Sequence, residues 1–461
     1  MKDRFGFDWS NIKGTLFWKQ PQLSRRMLFR HASSAVGGYF LLPGRPLETV
    51  ARAAVNPIGK ARNCIFVLLS GGQSHTDTFD LKEGPWLPAT FAPTDFNGVR
   101  FPQGAMPKIA ASLDSVAMVR SVKSWAAVHE LARNWVQIGR NPVDARSRIA
   151  PHIGSVASLE LRPSVTNPTL PTFVSLNTGN DGPGSGYLAP EHAPFLVAPN
   201  GGGLANTTHR DGTVVFDRRY DLLLKLDSEE RGLAEHGAGP SEMLQFNLNA
   251  RLLMYNSQVD QVFRFSTDER NRFGNTAFGN ACIAARNLLQ ANLGTRFVQI
   301  TVGGWDNHQG IYTGAFNAAN ANSLIRQFDN GLGTLLADMK QSGLLDETLI
   351  VVMGEFGRTT GALNAQAGRD HYLQQSAMFA GAGIRGPKVL GATDDLGRVT
   401  TEPGWGRARD IRAEDIEATI YSALGIDWTT VRRDDPLGRG FEYVPFAATQ
   451  DLYGPIHELW S

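Results

Sequence analysis

Residues Asn63–Asp80 read NCIFVLLSGGQSHTDTFD: a short apolar run breaks into two glycines and then into closely spaced serine, histidine and aspartate. Cys64 to Leu69 shows no polar alternation and stops at Gly71-Gly72, the pattern of a central parallel strand covered on both faces. In an open α/β sheet, ligands sit outside the carboxyl ends of such strands. Ser70, Ser74, His75, Asp77 and Asp80 are therefore expected at the functional edge. The same residues also fit an ordinary strand followed by a helix capped by Ser74 or Asp77, and this stretch alone does not separate the two.

The chain has 461 residues, 42% of them hydrophobic, enough to bury a large core in one to three domains. Lys and Arg number 45 against 44 Asp and Glu. No net positive field exists to hold phosphate backbones or anionic lipids, so nucleic acid is dropped as a partner. Cys64 and Cys282 are too few for a disulfide framework and read as two buried thiols, one in a strand and one in a helix.

Residues 1–55 depart from the globular pattern and read as a signal and linker. Arg25-Arg26 precede a modest apolar stretch, Ala35 to Leu42, and then Ala51-Arg52-Ala53. This resembles a twin-arginine export signal with a small-residue cleavage site after Ala53. It implies the twin-arginine machinery as a partner and a periplasmic or secreted location. The apolar stretch falls well short of the ~20 residues that span a bilayer as a helix, so no stable membrane span is expected. Residues 56–461 then read as one domain with loop and helical insertions at about 163–265.

Val116 to Val119 reads as a second strand, followed by a helix from His129 to Arg140. Glu130, Arg133 and Gln137 fall at i, i+3 and i+7 on one face of it. His129 stands at the helix N-terminus, whose free N–H groups and partial positive charge can receive an oxyanion; the other reading is a surface helix with an i, i+3 ion pair. Pro163 to Gly203 reads as an excursion over the active edge of the sheet, with short strands at Thr172–Leu176 and Phe195–Val197. Asp217–His236 and Ser241–Phe265 read as a helical insert without chemistry of its own.

The strand pattern resumes at Arg296–Val302, which runs into Gly303-Gly304-Trp305-Asp306-Asn307-His308. After a long helix, Asn317 to Gln341, the strand Thr348–Met353 leads to Gly354-Glu355-Phe356-Gly357-Arg358. Gly368-Arg369-Asp370-His371 lies ahead of a strand at Ala377–Ala380. In a doubly wound, mostly parallel α/β sheet with helices on both faces, these strand ends lie side by side. His75, Asp77, Asp306, His308, Glu355 and His371 are therefore candidate ligands of a divalent metal ion. Carboxylates and imidazoles without thiolates suit Zn²⁺, Mn²⁺, Mg²⁺ or Ca²⁺. Arg358 and Arg369 either neutralise an anionic substrate or pair with Glu355 and Asp370.

These motifs carry a resemblance that covers nearly all of the chain. LSGGQSHTDTFD, FVQITVGGWDNH, SGLLDETLIVVMGEFGRT and GRDHY resemble the hallmarks of the secreted bacterial family catalogued as domain of unknown function 1501. That family is similar in turn to the sulfatase and alkaline phosphatase superfamily. The resemblance implies a doubly wound fold and hydrolysis of phosphate or sulfate esters at metal sites on the carboxyl edge. Asp415 to Ile426 resembles the helix that follows the core in sulfatases and is read as structural.

The departures bear on mechanism. Ser70-Gly71-Gly72 stands where a sulfatase has its first metal-binding aspartates, and Glu355-Phe356-Gly357 where it has Asp-His-Gly. His129 stands at the sulfatase nucleophile, with Arg133 matching the arginine and Gly139 the terminal glycine of that motif. A formylglycine cannot be made from histidine, so formylglycine-dependent hydrolysis is disfavoured. The expectation is an exported metal-dependent hydrolase-like protein acting on a small anionic ester or an extracytoplasmic polymer. In it His129 is a ligand, a general acid or a nucleophile. The alternative is a secreted binding or assembly protein that kept the fold without catalysis.

Overall fold

In the computed structural model, which describes residues 55–461 except 167, 180, 181 and 231–238, strand β1 (Asn63–Leu69) is buried along its whole length. Its side chains alternate between two cores: Ile65, Val67 and Leu69 serve one, Cys64, Phe66 and Leu68 the other. The missing polar alternation in the sequence has this cause. Arg25 and Arg26, with the export reading that rests on them, lie outside the described residues.

Seven more strands complete the central sheet: β2 (Val116–Lys123), β3 (Phe173–Leu176), β4 (Phe195–Val197), β5 (Phe297–Val302), β6 (Thr348–Gly354), β7 (Gln374–Gly381) and β8 (Lys388–Leu390). They lie in the order β8-β2-β7-β6-β1-β5-β3-β4. β1 pairs in parallel with both β5 and β6. Parallel pairing also joins β3 to β4 and β5, and β8 to β2. Only β7 runs against its neighbours β2 and β6.

The longer helices, of nine residues or more, are in chain order α1 (His129–Ile138), α2 (Ile153–Leu161), α3 (Gly212–Glu230), α4 (Gly239–Leu253), α5 (Ala277–Ala291), α6 (Leu324–Gln341) and α7 (Ala413–Ala423). α1, α2 and α7 contribute Val136, Ile153 and Ile416 to the core behind Phe66, and α5 and α6 contribute Cys282 and Phe328 to the opposite one. The fold is thus a doubly wound, mostly parallel α/β sheet with helices on both faces. Both thiols are buried and free, one in β1 and one in α5. Among the described residues no helix is long and apolar enough to cross a membrane.

One expectation holds and one changes. Short strands were expected at Thr172–Leu176 and Phe195–Val197 within residues 163–203; they form as β3 and β4, and they extend the sheet at its flank. The strand after His371 was expected to run with the others; β7 is antiparallel, so its start lies on the edge where β1, β5 and β6 end. That reversal lets His371, three residues ahead of β7, meet groups that follow β5 and β6.

Candidate metal centre

The chain turns sharply after β1. Gly71 and Gly72 have φ of 114° and 74°, in the region that favours glycine, and a Cβ on Gly71 would lie 2.5 Å from the Asp306 backbone nitrogen. The absent side chain lets the loops after β1 and β5 touch. A Cβ on Gly368 would lie 2.0 Å from the His308 carbonyl carbon, so the loop before β7 meets the same place by the same means. The buried guanidinium of Arg358 joins these segments. It donates to the carbonyls of Gly71, Gly72 (2.8 Å) and Arg369 (3.1 Å) and to Asp306 Oδ1 (2.6 Å).

Around Asp306 Oδ1 stand three imidazole nitrogens: Nε2 of His308 at 2.9 Å, of His129 at 3.3 Å and of His371 at 3.4 Å. His308 Nε2 and His371 Nε2 are 3.0 Å apart. Ligands bound at 2.0–2.1 Å around a tetrahedral ion lie roughly 3.3 Å from one another, and the separations of His129 and His371 from Asp306 are of that size. His129, Asp306 and His371 each bring a ligand atom within 4.8 Å of the others.

The outer nitrogens fix the tautomers. His371 Nδ1 lies 2.9 Å from the Ala127 carbonyl, which only accepts, so Nδ1 carries the proton. His308 Nδ1 faces Asp370 Oδ1 at 2.7 Å, and His129 Nδ1 faces Glu355 Oε1 at 2.9 Å; both donate. Each ring therefore turns Nε2 toward Asp306, with a bare lone pair when the ring is neutral and with a second N–H when it is protonated. Histidines that ligate metals are oriented in this way by carboxylate or carbonyl partners. Phe356 is buried against two of the rings, 4.8 Å from His129 and 4.6 Å from His371 between centroids.

Electrostatics favour the neutral ring at His371 and the protonated one at His129. Partial burial opposes charge on Asp306, yet the Arg358 hydrogen bond and charge, with His129 and His308, hold its carboxyl down at about 2. The hydrogen bond to Glu355 raises His129, whereas burial lowers His371. Glu355 is buried; its Oε1 also accepts the Gly71 N–H at 2.8 Å, and its Oε2 has no hydrogen-bond partner among the described residues. It therefore orients His129 from behind, a different role from the direct ligation expected of it.

His75 and Asp77 do not join the cluster. Both Asp77 oxygens are taken inside the protein: Ser74 Oγ and Arg369 Nε hold Oδ2 at 2.6 and 2.7 Å, and Tyr312 Oη holds Oδ1 at 2.6 Å. Arg369 is thereby the partner of Asp77, with further donors on the Thr359 and Gly361 carbonyls, and is no anion receptor. His75 is fully buried with Nε2 on the Gly397 carbonyl at 2.8 Å, and burial lowers its pKa. Arg358 is likewise spent on carbonyls and Asp306. Arg133, one turn beyond His129, is half-buried and among the described residues makes no ion pair, so the Glu130–Arg133 pair does not form.

Sequence reasoning missed the supporting groups. Ala127 and Asp370 set two of the tautomers, and Ser124 Oγ holds the Glu355 carbonyl at 2.8 Å. Trp125 and Trp135, on either side of His129, both donate their indole N–H to the buried carboxylate of Glu414 in α7, at 3.1 and 2.9 Å. The GRDHY motif carried a signal for Asp370. Trp125 and Glu414 carried none, because they are 289 residues apart.

A model of the family described as "Protein of unknown function (DUF1501)" matches residues 61–444. No curated protein matches the chain. Solved structures similar to it include the PsFucS1 sulfatase from Pseudoalteromonas sp. (14% identity, 79% of this chain and 68% of that one, TM-score 0.39). A phosphonate monoester hydrolase from Silicibacter pomeroyi is similar at 14% identity over 84% and 76%, with a TM-score of 0.36. A protein in the alkaline phosphatase superfamily from Vibrio parahaemolyticus is similar at 13% over 81% and 69%, with a TM-score of 0.37.

Replacing Glu355 with glutamine keeps the shape and the acceptor for Gly71 but removes the charge behind His129. The affinity for Zn²⁺, measured by competition with a chelator, is expected to fall about 10- to 100-fold while the melting temperature changes little. Unchanged affinity would deny Glu355 its orienting role.

Proposed function

Because the chain belongs to the DUF1501 family, whose description assigns no activity, its chemistry rests on its own side chains, and we propose an exported metal-dependent hydrolase of phosphate or sulfate esters. The observation that carries this reading is the convergence of three Nε2 atoms, from His129, His308 and His371, on one Asp306 oxygen. A donor set with more imidazole than carboxylate favours a borderline ion such as Zn²⁺ and disfavours Mg²⁺ and Ca²⁺, which prefer oxygen. A bound ion supplies a Lewis acid that polarises an ester oxygen and acidifies water.

The chain's own residues supply the rest. Arg133 is free to neutralise an anionic group beside His129, and the N-terminus of α1 adds partial positive charge there. Asp370 orients His308, whose side chain is 40% exposed. His129, oriented by buried Glu355, acts as a ligand.

One contact favours the second reading, a secreted binding or assembly protein without catalysis: the Arg358 guanidinium already sits on the Asp306 oxygen that faces the three rings. Turnover decides between them. A panel of aryl phosphate, phosphonate and sulfate esters should include at least one that the purified chain hydrolyses. That rate is expected to vanish on chelation, return with Zn²⁺ or Mn²⁺, and drop at least 100-fold in Asp306→Asn and His371→Ala. Protein purified without chelators that holds no metal and turns over nothing would leave the binding reading in its place. The proposal includes twin-arginine export through Arg25 and Arg26. Mature protein still reaching the periplasm after both are changed to lysine would remove that part.

A further inference from the structure

The C-terminal end of α1 meets a buried carboxyl. Gly139 ends the helix with φ of 57°, and a Cβ on it would lie 1.7 Å from Glu417 Oε2 of α7. The carboxyl thus fills the place of the absent side chain. Glu417 is 4% exposed. Its Oε1 accepts the Tyr421 hydroxyl at 3.0 Å, and its Oε2 has no hydrogen-bond partner among the described residues. A second buried carboxyl joins the same two helices, Glu414 of α7 under the Trp135 indole N–H of α1.

The surroundings of Glu417 favour its neutral form. Arg140, the cation that faces it, donates to the carbonyls of Glu442 (2.6 Å) and Tyr443 (3.0 Å) and lies over the Phe441 ring at 3.9 Å. Its charge is shared with Glu442, and Arg146 opposes it. Glu414, three residues back on α7, adds a like charge, and the C-terminal end of a helix carries partial negative charge of its own. Burial pushes the Glu417 carboxyl up to about 8, against the opposing pull of Arg140 and the Tyr421 hydroxyl.

We propose that Glu417 is a proton-controlled latch between α7 and α1: the neutral carboxyl closes the C-terminal end of α1, and loss of the proton at alkaline pH releases that end. A buried anion without a paired cation is costly, and the contact with Gly139 must open before water reaches it. Because α1 begins at His129, the latch sets how firmly that ring is held, whatever chemistry the ring performs. Folded Glu417 binds its proton more tightly than unfolded Glu417. The stability it contributes is therefore complete below the ordinary carboxylate range and is lost as pH rises to about 8.

Hydrogen exchange read by mass spectrometry on the full chain follows α1 directly. At about pH 6 the peptide covering α1 is expected to be equally protected in the parent and in Glu417→Gln, whose amide keeps the shape and does not ionise. At about pH 9.5 it is expected to exchange about tenfold faster in the parent than in the variant, while α5, in the opposite core, stays protected in both. Tyr421→Phe removes a donor to the ionised form and is expected to move the step in α1 exchange to higher pH. Equal exchange of α1 in parent and Glu417→Gln at the alkaline pH, or loss of protection in α5 together with α1, would overturn the proposal. If Glu417→Gln does not fold, the parent decides: α1 exchange, divided by the intrinsic amide rate, that shows no step between about pH 7 and 9 would overturn it as well.

Discussion

One buried guanidinium holds the edge of this sheet together. Arg358 leaves β6 and spends its donors on the Gly71, Gly72 and Arg369 carbonyls and on Asp306, so that loops following β1, β5 and β6 and the segment before β7 share one side chain. A planar, permanently charged fork suits this task, and a lysine could not serve four acceptors spread over one plane. The requirement propagates outward. Gly71 has no side chain because the Asp306 backbone passes too close, and Glu355, next to the same turn, accepts the Gly71 N–H.

The rings depend on this frame for their chemistry. Each of the three imidazoles is fixed from behind by an acceptor from a different segment: Ala127 before α1, Glu355 after β6, Asp370 before β7. Their Nε2 atoms then have one place to meet. The segment that presents Ala127 and His129 is itself held by α7, through Glu414 on two indole N–H groups and Arg412 on the Lys123 and Ser124 carbonyls. The C-terminal helix, which the sequence marks only as structural, thus sits two contacts away from the candidate ligands.

How much of this was legible follows from the range of each interaction. β1 announced itself because burial on both faces removes polar alternation, and the glycine-acid endings of β5 and β6 marked the edge where Asp306, His308 and Glu355 stand. His371 was expected at the same site, although its place depends on an antiparallel strand that no local pattern signals. Asp77 and Arg369 looked like a ligand and an anion receptor because both are polar residues near strand ends. Their pairing, at 2.7 Å across 292 residues, satisfies each inside the protein, and spacing along the chain carries no information about it. Glu355 was legible as a carboxylate near the site, but its place behind His129 depends on where α1 docks.

The central proposal is that His129, His371 and Asp306 hold one metal ion, with His308 against the same carboxylate oxygen. X-ray absorption at the edge of the bound metal, recorded on the zinc-loaded chain and on His371→Ala, tests it most directly. The account predicts one ion per chain whose shell contains imidazoles and one oxygen-bearing side chain, with one imidazole fewer in the variant. A chain that retains no ion, or a shell that is the same with and without His371, would contradict it.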